Sequence, residues 1–518
     1  MINFIPNDPL AQNGPPMRKK QPRGDRPAGS AGLAYTGAVA EGLYDRGTPE
    51  FLFWQCREAS LLAIEVWEGL SGKLSAWGTS SPKKLSLLQN AGFDLNAGYS
   101  RQSLEFYEYT TGNKTTFSGA STDVVAHECG HAFLDAIRPD LWDTTLPEPN
   151  AFHEAFGDCV AILTALSDQA TRNALLNISP DLGGKNFVEA VMEDLADGTK
   201  RAEGPDFDAS APRRALNNFK WQLPTTLPKS GKPSVLTSEV HSFGRVFAGC
   251  FYDLIRNIFA SHTARNQANL WKAAQTAGKL LIGGTRQAQE TPRFFQSVGR
   301  AMALVDQETN SGANRDAIRE AFSRHGISLG VSAMLAPRAS LAGEAPRIAA
   351  ATRGGAPILT ATTREDLKRR LGAAPQSRLT VNAVKIGGEN FAEAVHHREV
   401  PLSGLSERLR DVVAVVSEPI LVGSSGRRAA IVSALPQESV TTDEVHTFVE
   451  TLLEKDAIVF EDEMPGPTTP RGAIRAASAA RAASAAAGDK KKSHLPTHVV
   501  RARGGKKVLT RIRFLCHF

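Results

Sequence analysis

Between Pro49 and Leu88 apolar residues return every three or four positions, as at Leu61, Ile64, Trp67 and Leu70, a spacing that predicts helix. The rhythm shortens over 94–118. There Leu104 to Tyr109 is aromatic and strand-like, and Thr111-Gly112-Asn113 is a turn signal. Two helices are predicted next. One covers about 122–137 with Ser121 as N-cap, and the other about 150–167, with Pro139 and an Asp/Pro-rich stretch to Pro149 between them. Further helical patterns occupy 239–260, 267–281, 292–306 and 313–324. Strand-like runs follow at 379–386, 412–416 and 429–432, with a helix near 442–454.

The pattern divides the 518 residues into five parts. A segment rich in Pro, Gly, Lys and Arg (1–30) reads as disordered, and residues 31–335 form the main domain. An Ala/Arg/Gly/Pro linker (336–376), a small α/β unit (377–465) and a low-complexity basic tail read as disordered (466–518) follow. Charge sharpens the last boundary. The net charge is +6, but 466–518 hold 12 Lys/Arg and one acid, Asp489, a local +11 that leaves −5 for the rest. Lys490, Lys491, Lys492, Arg501, Arg503, Lys506, Lys507, Arg511 and Arg513 could meet nucleic acid or an anionic surface. A solvated tail is the preferred reading, because the only aromatics available to stack on a single strand are Phe514 and Phe518.

No apolar run approaches the roughly 18 residues of a transmembrane segment, so none is expected. The first residues lack a basic region followed by an apolar stretch. Five scattered cysteines (Cys56, Cys129, Cys159, Cys250, Cys516) do not suggest a disulfide framework. The expectation is a cytoplasmic protein, or one secreted without a cleaved signal peptide.

Chemistry concentrates in His127-Glu128-Cys129-Gly130-His131. Residues i and i+4 share a helix face, so both imidazoles can reach one zinc ion, with Glu128 beside the open position as a proton acceptor. A catalytic zinc needs a third protein ligand. The second helix offers Glu154, with Asp158 one turn on, placed to accept the second N–H of a ligating histidine. His153 competes for the ligand role. Glu154 is preferred, because only Glu154 has Asp158 one turn below it. The helix around them is apolar (Phe152, Phe156, Val160, Ile162), and buried carboxylates need partners.

Thr122 to Ala132, followed by Asn150 to Asp158, resembles the thermolysin-like neutral zinc metallopeptidases, a branch of the gluzincins with His-Glu-x-x-His and then Glu-x-x-x-Asp. The resemblance covers roughly residues 50–325. It implies an α+β, two-lobed zincin catalytic domain with a β-rich N-terminal lobe and a helical C-terminal lobe. It further implies one zinc on His127, His131 and Glu154, Glu128 as general base, Asp158 behind His127, and a polypeptide substrate. Asn96 and Ala97 match the edge strand that holds substrate, His241 the histidine that stabilises the oxyanion, and Arg214 the arginine that binds a substrate carbonyl.

Departures from the family pattern are visible too. The spacer between His131 and Glu154 has 22 residues, and Trp142 stands where the family has a tyrosine. Arg213 falls at an apolar wall of the pocket beyond the cut bond. Asp123 matches a calcium ligand, but its acidic partner falls at Ala165, which makes calcium doubtful. No inhibitory propeptide is visible. An endopeptidase is preferred over an aminopeptidase. The rival class is an inactive zincin scaffold that binds partners through its C-terminal unit and tail.

Overall fold

The computed structural model describes residues 1–204, 213–330, 347–348, 359–373, 377, 379–386, 389–425, 428–431, 433, 437–464 and 495–516. Its architecture is mixed α+β. The first residues are not disordered: β1 (Ile2–Phe4) pairs antiparallel with β2 (Arg18–Lys20), and Ile2 and Phe4 are buried. The basic residues that make this segment look solvated meet carboxylates of helix α1 (Pro49–Ser71). Lys20 pairs with Glu58, Arg23 with Glu58 and Glu65, and Arg26 with Glu68.

Helix α1 is shorter than its apolar rhythm predicts. It ends at Gly72, whose φ of 84° suits glycine and breaks the helix before Leu88. The chain instead contributes strands. These are β3 (Gly32–Tyr35), β4 (Lys84–Leu88), β5 (Ala97–Tyr99), β6 (Ser103–Phe106) and the hairpin of β7 (Glu108–Thr111) with β8 (Lys114–Phe117), turned at Gly112 as expected. Strands β3, β4 and β6 are parallel neighbours, and β5 runs antiparallel along β6.

Helix α2 (Thr122–Ile137) begins where its sequence signals place it, with the Ser121 hydroxyl accepting from Val124 N–H. Helix α3 (Pro147–Ser167) starts three residues earlier than predicted, with Pro147 in its first turn. The two cross so closely that a Cβ on Gly130 would lie 2.7 Å from the Cα of Gly157. Phe133 of α2 stacks on Trp67 of α1 and on Trp77, at centroid distances of 4.7 and 5.9 Å. Helices α4 (Gln169–Ile178) and α5 (Glu193–Glu203) were not legible in the sequence. Helices α6 (Val240–Ser261), α7 (Gln267–Gln287), α8 (Phe294–Thr309) and α9 (Arg315–Arg324) follow the helical patterns closely. No helix among the described residues is long and apolar enough to cross a membrane.

Beyond β9 (Arg347–Ile348) and α10 (Ala361–Arg370), most of the expected linker lies outside the described residues. The C-terminal part adds β10 (Leu379–Ile386), β11 (Glu389–Pro401), β12 (Val412–Ser425), β13 (Arg428–Ile431), α11 (Glu438–Glu454) and β14 (Ile458–Phe460). Residues 465–494, with Lys490, Lys491 and Lys492, lie outside the described residues.

The rest of the expected tail is a correction: it is folded. Strands β15 (His498–Arg503) and β16 (Lys506–Arg511) form a hairpin that completes the sheet in the order β10-β11-β12-β16-β15-β14. Val499 and Val500 on one strand and Val508 and Leu509 on the other are buried, while Arg503, Lys506 and Lys507 are exposed at the turn end of the hairpin. Its basic residues are engaged locally: Lys506 pairs with Glu399, Arg501 with Glu461 and Arg513 with Glu105. The last strand, β17 (Phe514–Leu515), leaves this unit and pairs antiparallel with β5 of the main domain.

Candidate metal centre and cleft

Helix α2 carries His127, Glu128 and His131 on a face that is fully buried. Their side-chain ligand atoms lie within 4.8 Å of one another. Helix α3 delivers Glu154 to the same point: its Oε2 is 3.5 Å from His127 Nε2 and its Oε1 is 3.8 Å from His131 Nε2. Two glycines allow this. A Cβ on Gly157 would fall 2.5 Å from the His127 ring, and Gly130 admits α3 itself.

The far sides of the imidazoles are fixed. His127 Nδ1 is 3.0 Å from Asp158 Oδ1, as the spacing anticipates. His131 Nδ1 is 3.2 Å from His153 Nδ1, one nitrogen donating to the other. His153 therefore backs a histidine, while Glu154 faces both Nε2 atoms. The Nε2 atoms of His127 and His131 and both Glu128 oxygens are buried with no hydrogen-bond partner among the described residues. Buried polar atoms left in this way are costly, and a cation between two imidazoles and a carboxylate satisfies them. The donor set of two histidines and one glutamate is that of a catalytic zinc site.

Burial, then the neighbouring Glu154, pushes the Glu128 carboxyl well above its ordinary range. Burial drives His131 well below the usual imidazole value, keeping a neutral lone pair for a metal. Burial alone would raise Glu154, but His241 and His131 outweigh it and hold that carboxyl well below its ordinary value.

Helix α6 opens on Glu239, whose carboxylate caps it by accepting from the His241 and Ser242 N–H groups at 3.0 Å each. The same carboxylate lies 2.6 Å from His241 Nδ1. Glu239 thus orients His241 from two residues away. Burial opposes a charged imidazole there, yet Glu154 and Glu239 push His241 up to about 9. It is a donor at neutral pH, and its Nε2 stands 3.1 Å from Glu154 Oε2.

Arg213, not Arg214, enters the centre. Its guanidinium reaches Asp158 Oδ1 at 2.8 and 3.1 Å and Glu154 Oε2 at 3.5 Å, fully buried. Arg214 turns the other way onto Glu189. An isolated antiparallel bridge holds Arg214 against Ala190, while Arg213, in the turn before it, points to Asp158. The sequence reading gives the carbonyl-binding role to Arg214, one residue from the arginine that enters the centre. Asn96 lines the cleft, and Ala97 opens β5, which lies between β17 and β6. Trp142 lies beside β5, its ring 5.7 Å from that of Tyr99.

A second set of carboxylates, Asp8 and Asp123 buried and Glu193 half-buried, lies apart from this centre. Asp8, Asp123 and Glu193 bring oxygens within 4.8 Å, and Asp8 Oδ2, Asp123 Oδ1 and Glu193 Oε2 have no hydrogen-bond partner among the described residues. Asp8 and Glu193, rather than a residue at 165, supply the acidic company that Asp123 lacks in the sequence.

The family model of fungalysin metallopeptidases (M36) matches residues 224–333. The chain resembles the fungalysin metallopeptidases. These are zinc metallopeptidases of the thermolysin-like gluzincin kind, and the likeness points to zinc-dependent peptide hydrolysis. The match covers 110 of 518 residues and includes His241 and helices α6 to α9, but neither α2 nor α3. The fungalysin-like segment and the histidine-glutamate grouping are thus two separate observations that agree. A comparison with curated proteins found no match.

Proposed function

We propose that the protein is a zinc-dependent endopeptidase whose catalytic residues are Glu128 and His241 and whose metal ligands are His127, His131 and Glu154. The observation that carries this reading is the convergence of Glu154 on two buried, unpartnered Nε2 atoms. The bound zinc would supply Lewis-acid polarisation and a water of lowered pKa. Glu128 takes the proton from the attacking water and passes it to the leaving amine. His241, held by Glu239, donates to the oxygen on which charge develops. Asp158 holds His127 in one tautomer, and His153 does the same for His131.

Asn96 and Ala97 would hold substrate as a strand added to β5, and Arg213 takes the carbonyl-binding role that the sequence pattern gave to Arg214. The cleft lies between a β-rich lobe built on β3 to β6 and a helical lobe of α6 to α9. Residues 31–335 are the catalytic domain in this reading. The sheet of β10 to β16 forms a second unit that closes over it through Arg293 with Glu444 and Lys455 with Glu239.

The test is zinc content and cleavage of casein or a peptide, on the native protein and on Glu128→Gln. About one zinc per chain is expected in both, with kcat in Glu128→Gln lower by about 10²- to 10⁴-fold and native cleavage blocked by 1,10-phenanthroline. Absence of zinc from the native protein would refute the reading.

A further inference from the structure

The cleft of this protein already contains a peptide. Strand β17 pairs antiparallel with β5 in the register Phe514 opposite Tyr99 and Leu515 opposite Gly98. The single peptide bond between Leu515 and Cys516 is held from both ends. The Leu515 carbonyl accepts from His241 Nε2 at 2.8 Å, and the Cys516 N–H donates to the Ala97 carbonyl at 2.9 Å. These are the two groups that the proposed function assigns to substrate. Gly98 makes the approach feasible, because a Cβ there would meet the Phe514 carbonyl at 2.9 Å.

The side chains are seated as well. The Phe514 ring stacks on His153 at 4.0 Å and on His131 at 4.7 Å, with the Arg511 guanidinium 4.0 Å from its face and Trp142 at its edge. Cys516 is fully buried, its Sγ 2.8 Å from Met192 Sδ and 4.0 Å from Arg213. Phe514 and Leu515 are 2% and 5% exposed, and their pairing occupies the edge of β5. The β15–β16 hairpin presents the segment, since Arg511 is anchored on Asn150 and on the Trp142 carbonyl at 3.0 Å.

We propose that residues 514–516 are an intramolecular, substrate-like ligand of the cleft, which any external polypeptide must displace from β5 and His241. This rests on the peptidase reading for its consequence, but not for the occupancy itself. A tethered segment competes at an effective concentration of about 1 mM, so its removal should lower the KM for an external peptide about tenfold or more.

The experiment compares the full chain, a chain ending at Arg513, and Phe514→Asp in the full chain, which keeps the β15–β16 hairpin if the shortened chain folds poorly. The first readout is KM for a quenched peptide. The second is independent of catalysis: binding of a fluorescein-labelled octapeptide of residues 511–518 to zinc-loaded Glu128→Gln proteins, with and without the segment. A tenfold fall in KM, with octapeptide binding only where the segment is missing or disrupted, is the expected result. Equal KM values with equal octapeptide binding would overturn the proposal and leave the peptidase intact. Octapeptide binding confined to the opened chains, with no peptide cleaved by any of them, would uphold the occupancy and remove the peptidase.

Discussion

The metal centre and the strand that fills its cleft touch each other, yet they are built in opposite ways. Every ligand and supporting group of the centre on α2 and α3 falls between His127 and Asp158, on two consecutive helices. Spacing of four residues and one short link determine their geometry. The occupant of the cleft comes from more than 400 positions away from the strand it pairs with, Leu515 beside Gly98. No local rule encodes that pairing. Helical periodicity makes a catalytic constellation readable, while what regulates access to it depends on long-range strand addition that leaves no periodic trace.

The sharpest test of the local half is Gly157→Ala. The added methyl would sit 2.5 Å from the His127 ring, with Gly130 of α2 leaving no slack on the other side. Overpacking of this kind costs about 1–3 kcal/mol. Moving a ligand also weakens metal, by analogy with lost supporting contacts, about 10- to 100-fold. Thermal unfolding and zinc titration would show both losses. Unchanged zinc affinity would mean that α2 and α3 need not cross where they do.

A smaller effect separates the neighbouring arginines. Arg213→Lys keeps the charge but loses the two-point contact with Asp158, so kcat/KM should fall about tenfold, roughly 1.4 kcal/mol. Arg214→Lys should leave it within about twofold, because Arg214 serves Glu189 outside the centre. The reverse ranking would restore the assignment read from sequence alone.

These cases show where legibility ends. Ser121, Pro139 and the spacing of the two histidines sufficed to place α2 and its cap, because caps and i,i+4 spacing are local. Arg214 was chosen over Arg213, because the sequence does not reveal which of two neighbouring side chains a turn and an isolated bridge direct inward. Residues 1–30 and 498–516 were misjudged for one reason. Composition marked them as solvated, but their charges meet fixed partners such as Glu58, Glu68, Glu399 and Glu105. The disorder inferred from basic residues assumes that no such partner exists.

The three carboxylates give the comparison its smallest and most instructive test, because they too are assembled from distant residues. Asp8 sits on the N-terminal strap, Asp123 at the start of α2 and Glu193 at the start of α5. Burial, then Asp194, pushes Asp8 up to about 7, and burial with Asp8 raises both Asp123 and Glu193. Carboxylates whose folded values are raised hold protons that the unfolded chain gives up. Their contribution to stability is therefore complete below about pH 4 and is lost as pH rises through 7. Calcium favours the ionised trio and should offset that loss. At ten times its Kd it would add about 1.4 kcal/mol, and the gain in Tm should be larger at pH 8 than at pH 5.5. Asp8→Asn should reduce both the pH slope and the calcium response. A calcium gain that survives Asp8→Asn would show that the strap contributes no ligand, and that Asp123 finds its partners without it.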